Sequence, residues 1–140
     1  MIKYGEHNRL KVNREVDFGA YLIDEETQQE VLIPKRYIPE NTQVGDEIEV
    51  FVFFDSEDRL IATTETPKAQ VGEFAYLKVI AVSRVGAFLN WGLTKDLLLP
   101  YREQKRKVYT GSHYLVRIYV DDKTNRIVAT TRVGRYLEDG

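Results

Sequence analysis

The stretch Phe74–Val82 alternates: Leu77, Val79 and Ala81 fall on one side, Tyr76, Lys78 and Ile80 on the other. A period of two rather than 3.6 predicts a strand. Four more short runs follow. Residues 87–91 place Ala87, Leu89 and Trp91 on one face and Phe88 and Asn90 on the other. Residues 96–99 read as a short third strand, with Leu97, Leu98 and Leu99, ended by Pro100. His113–Val120 sets Tyr114, Val116, Ile118 and Val120 on one side, and residues 126–131 close the set. Turn chemistry separates the runs. Ser83, Arg84, Val85 and Gly86 read as a turn or bulge, with Gly86 free to adopt dihedrals that other residues avoid. Residues 121–125 read as a hairpin turn, and residues 101–107 predict one or two helical turns.

The pattern occurs twice. Phe18-Gly19-Ala20-Tyr21-Leu22 returns as Val85-Gly86-Ala87-Phe88-Leu89, 67 positions later. Leu10-Lys11-Val12 matches Leu77-Lys78-Val79, and Asp58-Arg59-Leu60-Ile61-Ala62-Thr63-Thr64 matches Asn125-Arg126-Ile127-Val128-Ala129-Thr130-Thr131, both at the same offset of 67. Val31-Leu32-Ile33-Pro34 matches Leu97-Leu98-Leu99-Pro100 one position shorter. Four blocks in one order indicate a duplication. The expected division is 1–66, a linker at 67–72 opened by Pro67, a second unit at 73–135 and a tail at 136–140. Each unit has three strands, a short helix and two strands. That is the order of an OB-fold, a small Greek-key barrel. The predicted class is therefore all-β, two tandem five-stranded barrels, with Pro39 interrupting the helix of the first unit. Five short strands fit other small barrels too, and element order alone leaves that choice open.

Composition adds a charge asymmetry. The chain has a net charge of −2, but residues 1–72 carry eight Lys/Arg against fifteen Asp/Glu, a net −7. Residues 73–140 carry twelve against seven, a net +5, so the second unit is the one suited to phosphates. The chain contains no Cys, so disulfides and thiolate metal sites are ruled out. No apolar run approaches the roughly 20 residues needed to cross a bilayer, and the N-terminal residues lack the apolar core of a signal peptide. The expectation is a soluble, cytoplasmic protein with no membrane partner.

The blocks Gly86-Ala87-Phe88-Leu89, Leu97-Leu98-Leu99-Pro100 and Arg126-Ile127-Val128-Ala129-Thr130-Thr131 resemble the S1 RNA-binding domain, the OB-fold module repeated in the largest small-subunit ribosomal protein. Gly45 and Gly111 stand where that module has a glycine before its fourth strand. The Ala-Thr-Thr endings at 62–64 and 129–131, together with the apolar third strand closing on proline, resemble the conserved virulence factor B family of bacteria. Members of that family carry a third such module and a winged-helix domain, so the resemblance implies a short relative, or an N-terminal fragment whose C-terminal domains are missing. It also implies RNA-binding residues. Two aromatics flank Gly-Ala in that module: the first unit has both, Phe18 and Tyr21, whereas the second has Val85 and Phe88, so one stacking position is lost. The basic residue of the closing strand is Arg59 or Arg126. Where the module often has a His after the third strand, this chain has Pro34 and Pro100.

Alternation turns Ala87 and Leu89 inward and Phe88 and Asn90 outward, so Phe88 is a platform for a base. Lys78, Arg84, Arg102, Arg117 and Arg126 lie on or near strands whose outer faces could adjoin it. Interleaved rings and cations suit single-stranded RNA, and they suit single-stranded DNA equally. The alternative for Phe88 and Tyr21 is packing against the neighbouring barrel or an absent domain. Lys105, Arg106 and Lys107 fit a solvated basic face. Catalysis finds little support. His7 and His113 are not repeat equivalents and have no carboxylate at ligand spacing, and adjacent Ser112 and His113 point to opposite faces of a strand. No catalytic residue, metal or cofactor is expected. The leading reading is a non-catalytic RNA-binding module of bacterial post-transcriptional regulation or translation. The alternative is a protein-interaction module that docks through its acidic first unit, onto a partner or onto missing C-terminal domains.

Overall fold

The structure, a computed structural model, describes residues 1–55 and 57–134; the predicted tail at 136–140 lies outside them. The chain divides into two compact units, Met1–Thr66 and Pro67–Gly140. The first contains β1 (His7–Val16), β2 (Gly19–Asp24), β3 (Gln29–Pro34), β4 (Glu47–Phe54) and β5 (Leu60–Thr63). The second contains β6 (Phe74–Val82), β7 (Gly86–Asn90), β8 (Leu97–Pro100), β9 (His113–Val120) and β10 (Ile127–Thr130). Each set closes into a barrel. The order is β1-β2-β3-β5-β4 in the first and β6-β7-β8-β10-β9 in the second, with β3·β5 and β8·β10 parallel and the rest antiparallel. The protein is all-β, two five-stranded barrels of OB topology.

Alternation builds both cores. Leu10, Val12, Ala20, Leu22, Val31, Ile33, Val50, Val52 and Ala62 fill the first barrel. Their repeat partners Leu77, Val79, Ala87, Leu89, Leu97, Leu99, Val116, Ile118 and Ala129 are buried in the second. The same apolar positions thus close both barrels, at about 25 cal/mol per Å² of apolar surface removed from water.

One inward residue expected from alternation is turned outward. Leu77 and Val79 point into the core, but Ala81 is exposed. The register explains it: Val79 pairs with Leu89 and Ala81 with Phe88, so Ile80 is an extra residue, a bulge. The first barrel repeats this at Asn13, between the pairs Val12–Leu22 and Arg14–Tyr21.

The helix between the third and fourth strands is a single 3-10 turn in each unit, Lys35–Tyr37 and Tyr101–Glu103. Helical bonding stops because the next polar groups are engaged elsewhere. The Thr131 N–H donates to the Glu103 carbonyl at 3.1 Å, and the Lys105 N–H donates to Thr131 Oγ1 at 2.9 Å. In the first barrel the Thr64 hydroxyl donates to the Tyr37 carbonyl at 2.5 Å. Gly19 and Gly86 open β2 and β7 at φ of +159° and +150°, where a Cβ would overlap the carbonyl oxygen of Ile33 or Leu99. These glycines let the second and third strands approach closely where each aromatic-flanked segment begins.

Candidate nucleic-acid interface

The face of interest is built on β7. Ala87 and Leu89 point inward and are fully buried, so Phe88 and Asn90 point outward, with Phe88 half-buried. Across the ladders Phe88 faces Leu98 on β8 and Ala81 on β6, and Asn90 faces Lys78. Leu98 also lines a groove of about 310 Å³ with Val85, Pro100, Arg102, Asp121, Thr124, Arg126 and Val128. The ring, the apolar floor and two guanidinium side chains therefore share one region. Val85, which replaces the second aromatic, is 59% exposed at the rim. Arg84 is exposed beside it, on the turn between β6 and β7.

Hydrogen bonds hold that region in shape. The Ser83 N–H donates to the Gly86 carbonyl at 2.8 Å, and the Tyr101 hydroxyl donates to the Ser83 carbonyl, tying the turn to the segment after β8. Arg102 Nη2 lies 3.0 Å from Asp121 Oδ2. The Lys123 backbone N–H, the Thr124 hydroxyl and the Arg102 guanidinium hold the Asp121 carboxyl below its ordinary range, against a smaller upward push from burial. Asp121 is thus charged at neutral pH and positions Arg102 while offsetting part of its charge. Behind them, burial and the Glu103 carboxylate push the Tyr119 hydroxyl up to about 12, so it stays protonated.

The remaining candidates divide. Lys78 and Asn90 sit two cross-strand pairs along from Phe88, and Asn90 shares its outward face, so both belong to its neighbourhood. Arg117 does not. It lies on β9, paired with Phe74 and Thr130, with its guanidinium 5.6 Å from the Phe74 ring. Phe74 and Ala81 stand at opposite ends of β6, about 20 Å apart at strand rise.

The first barrel repeats the geometry with different electrostatics. Phe18 is 60% exposed before Gly19, and Tyr21 faces Leu32 and Arg14 across its ladders. The Arg14 guanidinium lies 4.1 Å from the Tyr21 ring centroid and 3.3 Å from Glu30. Arg59 is engaged by Asp55 at 2.9 Å and Glu57 at 3.3 Å. A cavity of about 470 Å³ in this barrel is lined by Glu15, Val16, Asp17, Gly19, Lys35 and Ile38, with two carboxylates against one ammonium. Tyr21 and Arg59 therefore already have partners within the barrel.

Sequence reasoning passed over Asp121, Tyr101 and Leu98. Leu98 was legible as the outward member of the third strand, whereas the other two act through hydrogen bonds between segments far apart in sequence. Among the described residues no group of three or more His, Cys, Asp or Glu is placed to hold a metal ion. No helix among them is long and apolar enough to cross a membrane.

Two closed five-stranded barrels, each with an outward aromatic and a basic residue beside the second and third strands, define a tandem OB-fold protein. More narrowly, the chain belongs to the S1 domain family, which it matches twice, at residues 4–65 and 71–132. It is similar to the YitL protein of Bacillus subtilis, 32% identical over 96 residues, covering 68% of this chain and 32% of that protein. It is also similar to conserved virulence factor B of Staphylococcus aureus, 30% identical over 84 residues, covering 56% of this chain and 28% of that protein. The chain thus spans no more than about a third of the length of these relatives. A crystal structure of a multidomain protein with nucleic acid binding domains from Streptococcus pneumoniae shares the fold. Its TM-score is 0.75 at 20% identity, over 95% of this chain and 47% of that one.

Proposed function

We propose that the chain binds single-stranded RNA without catalysing a reaction, chiefly through the second barrel. We assign it to bacterial post-transcriptional regulation or translation. The observation that carries this reading is Phe88, turned outward by its buried neighbours beside a groove containing Arg102 and Arg126. A ring takes a base of any sequence and guanidinium groups take phosphates, the combination that nonspecific single-strand binders use. The net +5 of the second half favours encounter with a polyanion, whereas the first half carries −7. Membership of the S1 domain family supports a nucleic-acid-binding role. The virulence factor B likeness supports a bacterial regulatory setting.

A second reading has its own observation. The ring of Tyr21 is covered by Arg14, and Arg59 is held by two carboxylates, so the first barrel is suited to docking a protein. One experiment separates the readings: titration of labelled oligo-U, oligo-A and matched DNA by anisotropy across a salt series. RNA binding is expected with log affinity falling against log salt at a slope of about −0.7 per neutralised phosphate. Preference for RNA over the matched DNA would point to a 2′-hydroxyl contact. No binding, or a flat salt response, sinks the RNA reading and leaves the docking one.

A further inference from the structure

The outward face of β6 and β9 takes no part in the groove described above. Phe74, Tyr76 and Lys78 on β6 alternate with buried Leu77 and Val79, and His113, Leu115 and Arg117 on β9 alternate with buried Val116 and Ile118. Tyr76 is 67% exposed, Leu115 44% and Phe74 36%. The Tyr76 and His113 rings are stacked, 5.5 Å between centroids and 20° between planes. Neither strand carries an Asp or Glu.

The duplication supplies an internal control. Where the second barrel pairs Tyr76 with Leu115 and Lys78 with His113, the first pairs Arg9 with Glu49 and Lys11 with Glu47. There the face is charged and self-neutralising, with Arg9–Glu47 at 3.1 Å and Lys11–Glu25 at 3.4 Å. The same strand pair in the same register therefore folds without exposed rings. Rings that water can reach add little to the barrel's stability. Exposed apolar surface of this kind marks a contact surface.

We propose that this face is a second contact track for the same strand of RNA, continuing from Phe88 through Asn90 and Lys78 to the Tyr76–His113 pair. The proposal rests on the RNA reading given above and extends it to a second face of the barrel. Lys78 is the junction, because it pairs in register with Asn90 on one side and His113 on the other. From Phe88 to His113 is one step of two residues along a strand and two steps between strands, about 15 Å. A single OB-fold spans about 4–16 nucleotides, so one strand can reach both places. The charge fits this occupant: cationic side chains without carboxylates favour a polyanion, and flat rings favour bases over aliphatic side chains.

The test is anisotropy of the full chain with labelled U6 and U12 at low salt. The variants are Phe88→Ala, the double variant Tyr76→Ala with His113→Ala, and the double variant His113→Glu with Leu115→Glu. The last pair reproduces residue types that the first barrel already carries at these positions, so it guards against a mere folding failure. Both double variants are expected to weaken U12 binding about tenfold or more and to leave U6 within about twofold. Phe88→Ala is expected to weaken both lengths. If both double variants leave U12 unchanged while Phe88→Ala weakens it, the second track is overturned, the Phe88 site stands, and the face is left for a protein partner. Equal weakening of U6 and U12 by the double variants also overturns it, because the face is then not a separate track. If the unsubstituted chain binds neither length, the RNA reading itself fails.

Discussion

Phe88→Ala removes the ring at the centre of the interface and leaves the strand that presents it. Ala87 and Leu89, which anchor β7 in the core, are untouched. Full burial of a Phe side chain is worth about 1.5–3 kcal/mol, so truncating a half-buried one removes about 1 kcal/mol. In a unit of about 70 residues that lowers Tm by about 4–8 °C. The loss of a stacked base costs about 1–3 kcal/mol, which raises Kd by about 5- to 150-fold. The two quantities separate the roles of the ring: a base platform loses more affinity than stability, and a packing residue loses more stability than affinity. The assay is a pair of measurements on one preparation, oligo-U anisotropy at low salt and a thermal melt followed by circular dichroism. A fall in Tm beyond about 15 °C, or a Kd within about twofold of the parent, would refute the platform.

Three further outcomes follow from the same geometry. Phe18→Ala and Tyr21→Ala should each raise Kd less than Phe88→Ala does, because Arg14 covers the Tyr21 ring and the first half is acidic; an equal or larger effect would move the site to the first barrel. Gly86→Ala forces a Cβ against the Leu99 carbonyl at positive φ and should destabilise the second barrel by about 2–5 kcal/mol, read as a urea midpoint shift. Acid should destabilise both barrels. Asp55 is pushed up by burial but more strongly held down by the N–H groups of Arg59 and Glu57 and the Arg59 guanidinium, and the Arg14 and Asn13 side chains lower Glu30. Lys123, Thr124 and Arg102 lower Asp121. A carboxyl lowered in the folded state adds stability above its unfolded pKa and loses it as pH falls through the folded value. Urea midpoints should therefore be level above about pH 5 and fall below about pH 4, with the fall shallower in Asp55→Asn.

Much of the fold was legible because barrel strands with one face in the core must alternate, and because the chain states the pattern twice. What stayed hidden depends on partners distant in sequence. Ala81 belongs to the inward series by spacing alone, and only its pairing with Phe88 reveals the extra residue at Ile80. Residues 101–107 have helical composition, but Thr131 captures the groups that would have continued the helix. The outward direction of Phe88 could be read locally from Ala87 and Leu89. The placement of Arg117 could not, since its distance from Phe88 is set by the order of strands around the barrel. Likewise, nothing in the spacing of Arg102 and Asp121 announces an ion pair.

The two barrels share a fold, and one difference between them at the interface lies at a single pair of positions. Arg14 and Ala81 occupy the same place, just past the bulge and opposite the outward aromatic. To stack a base, Tyr21 must give up a cation–π contact worth about 0.5–1 kcal/mol and an exposed ion pair worth at most about 1 kcal/mol. At Phe88 the residue in the place of Arg14 is Ala81, which offers a methyl group instead of a guanidinium. Ala81→Arg would rebuild the first barrel's arrangement in the second, with Asp96 standing in the repeat position of Glu30. The substitution adds a positive charge to a surface proposed to bind a polyanion, so charge alone predicts tighter binding. If access to the ring decides, binding weakens. We expect Kd for oligo-U to rise about two- to fivefold at 150 mM salt, where the added charge is partly screened. A Kd lower than the parent's at both low and high salt would show that the ring face is not the binding surface, and that cations near the groove carry the affinity without it.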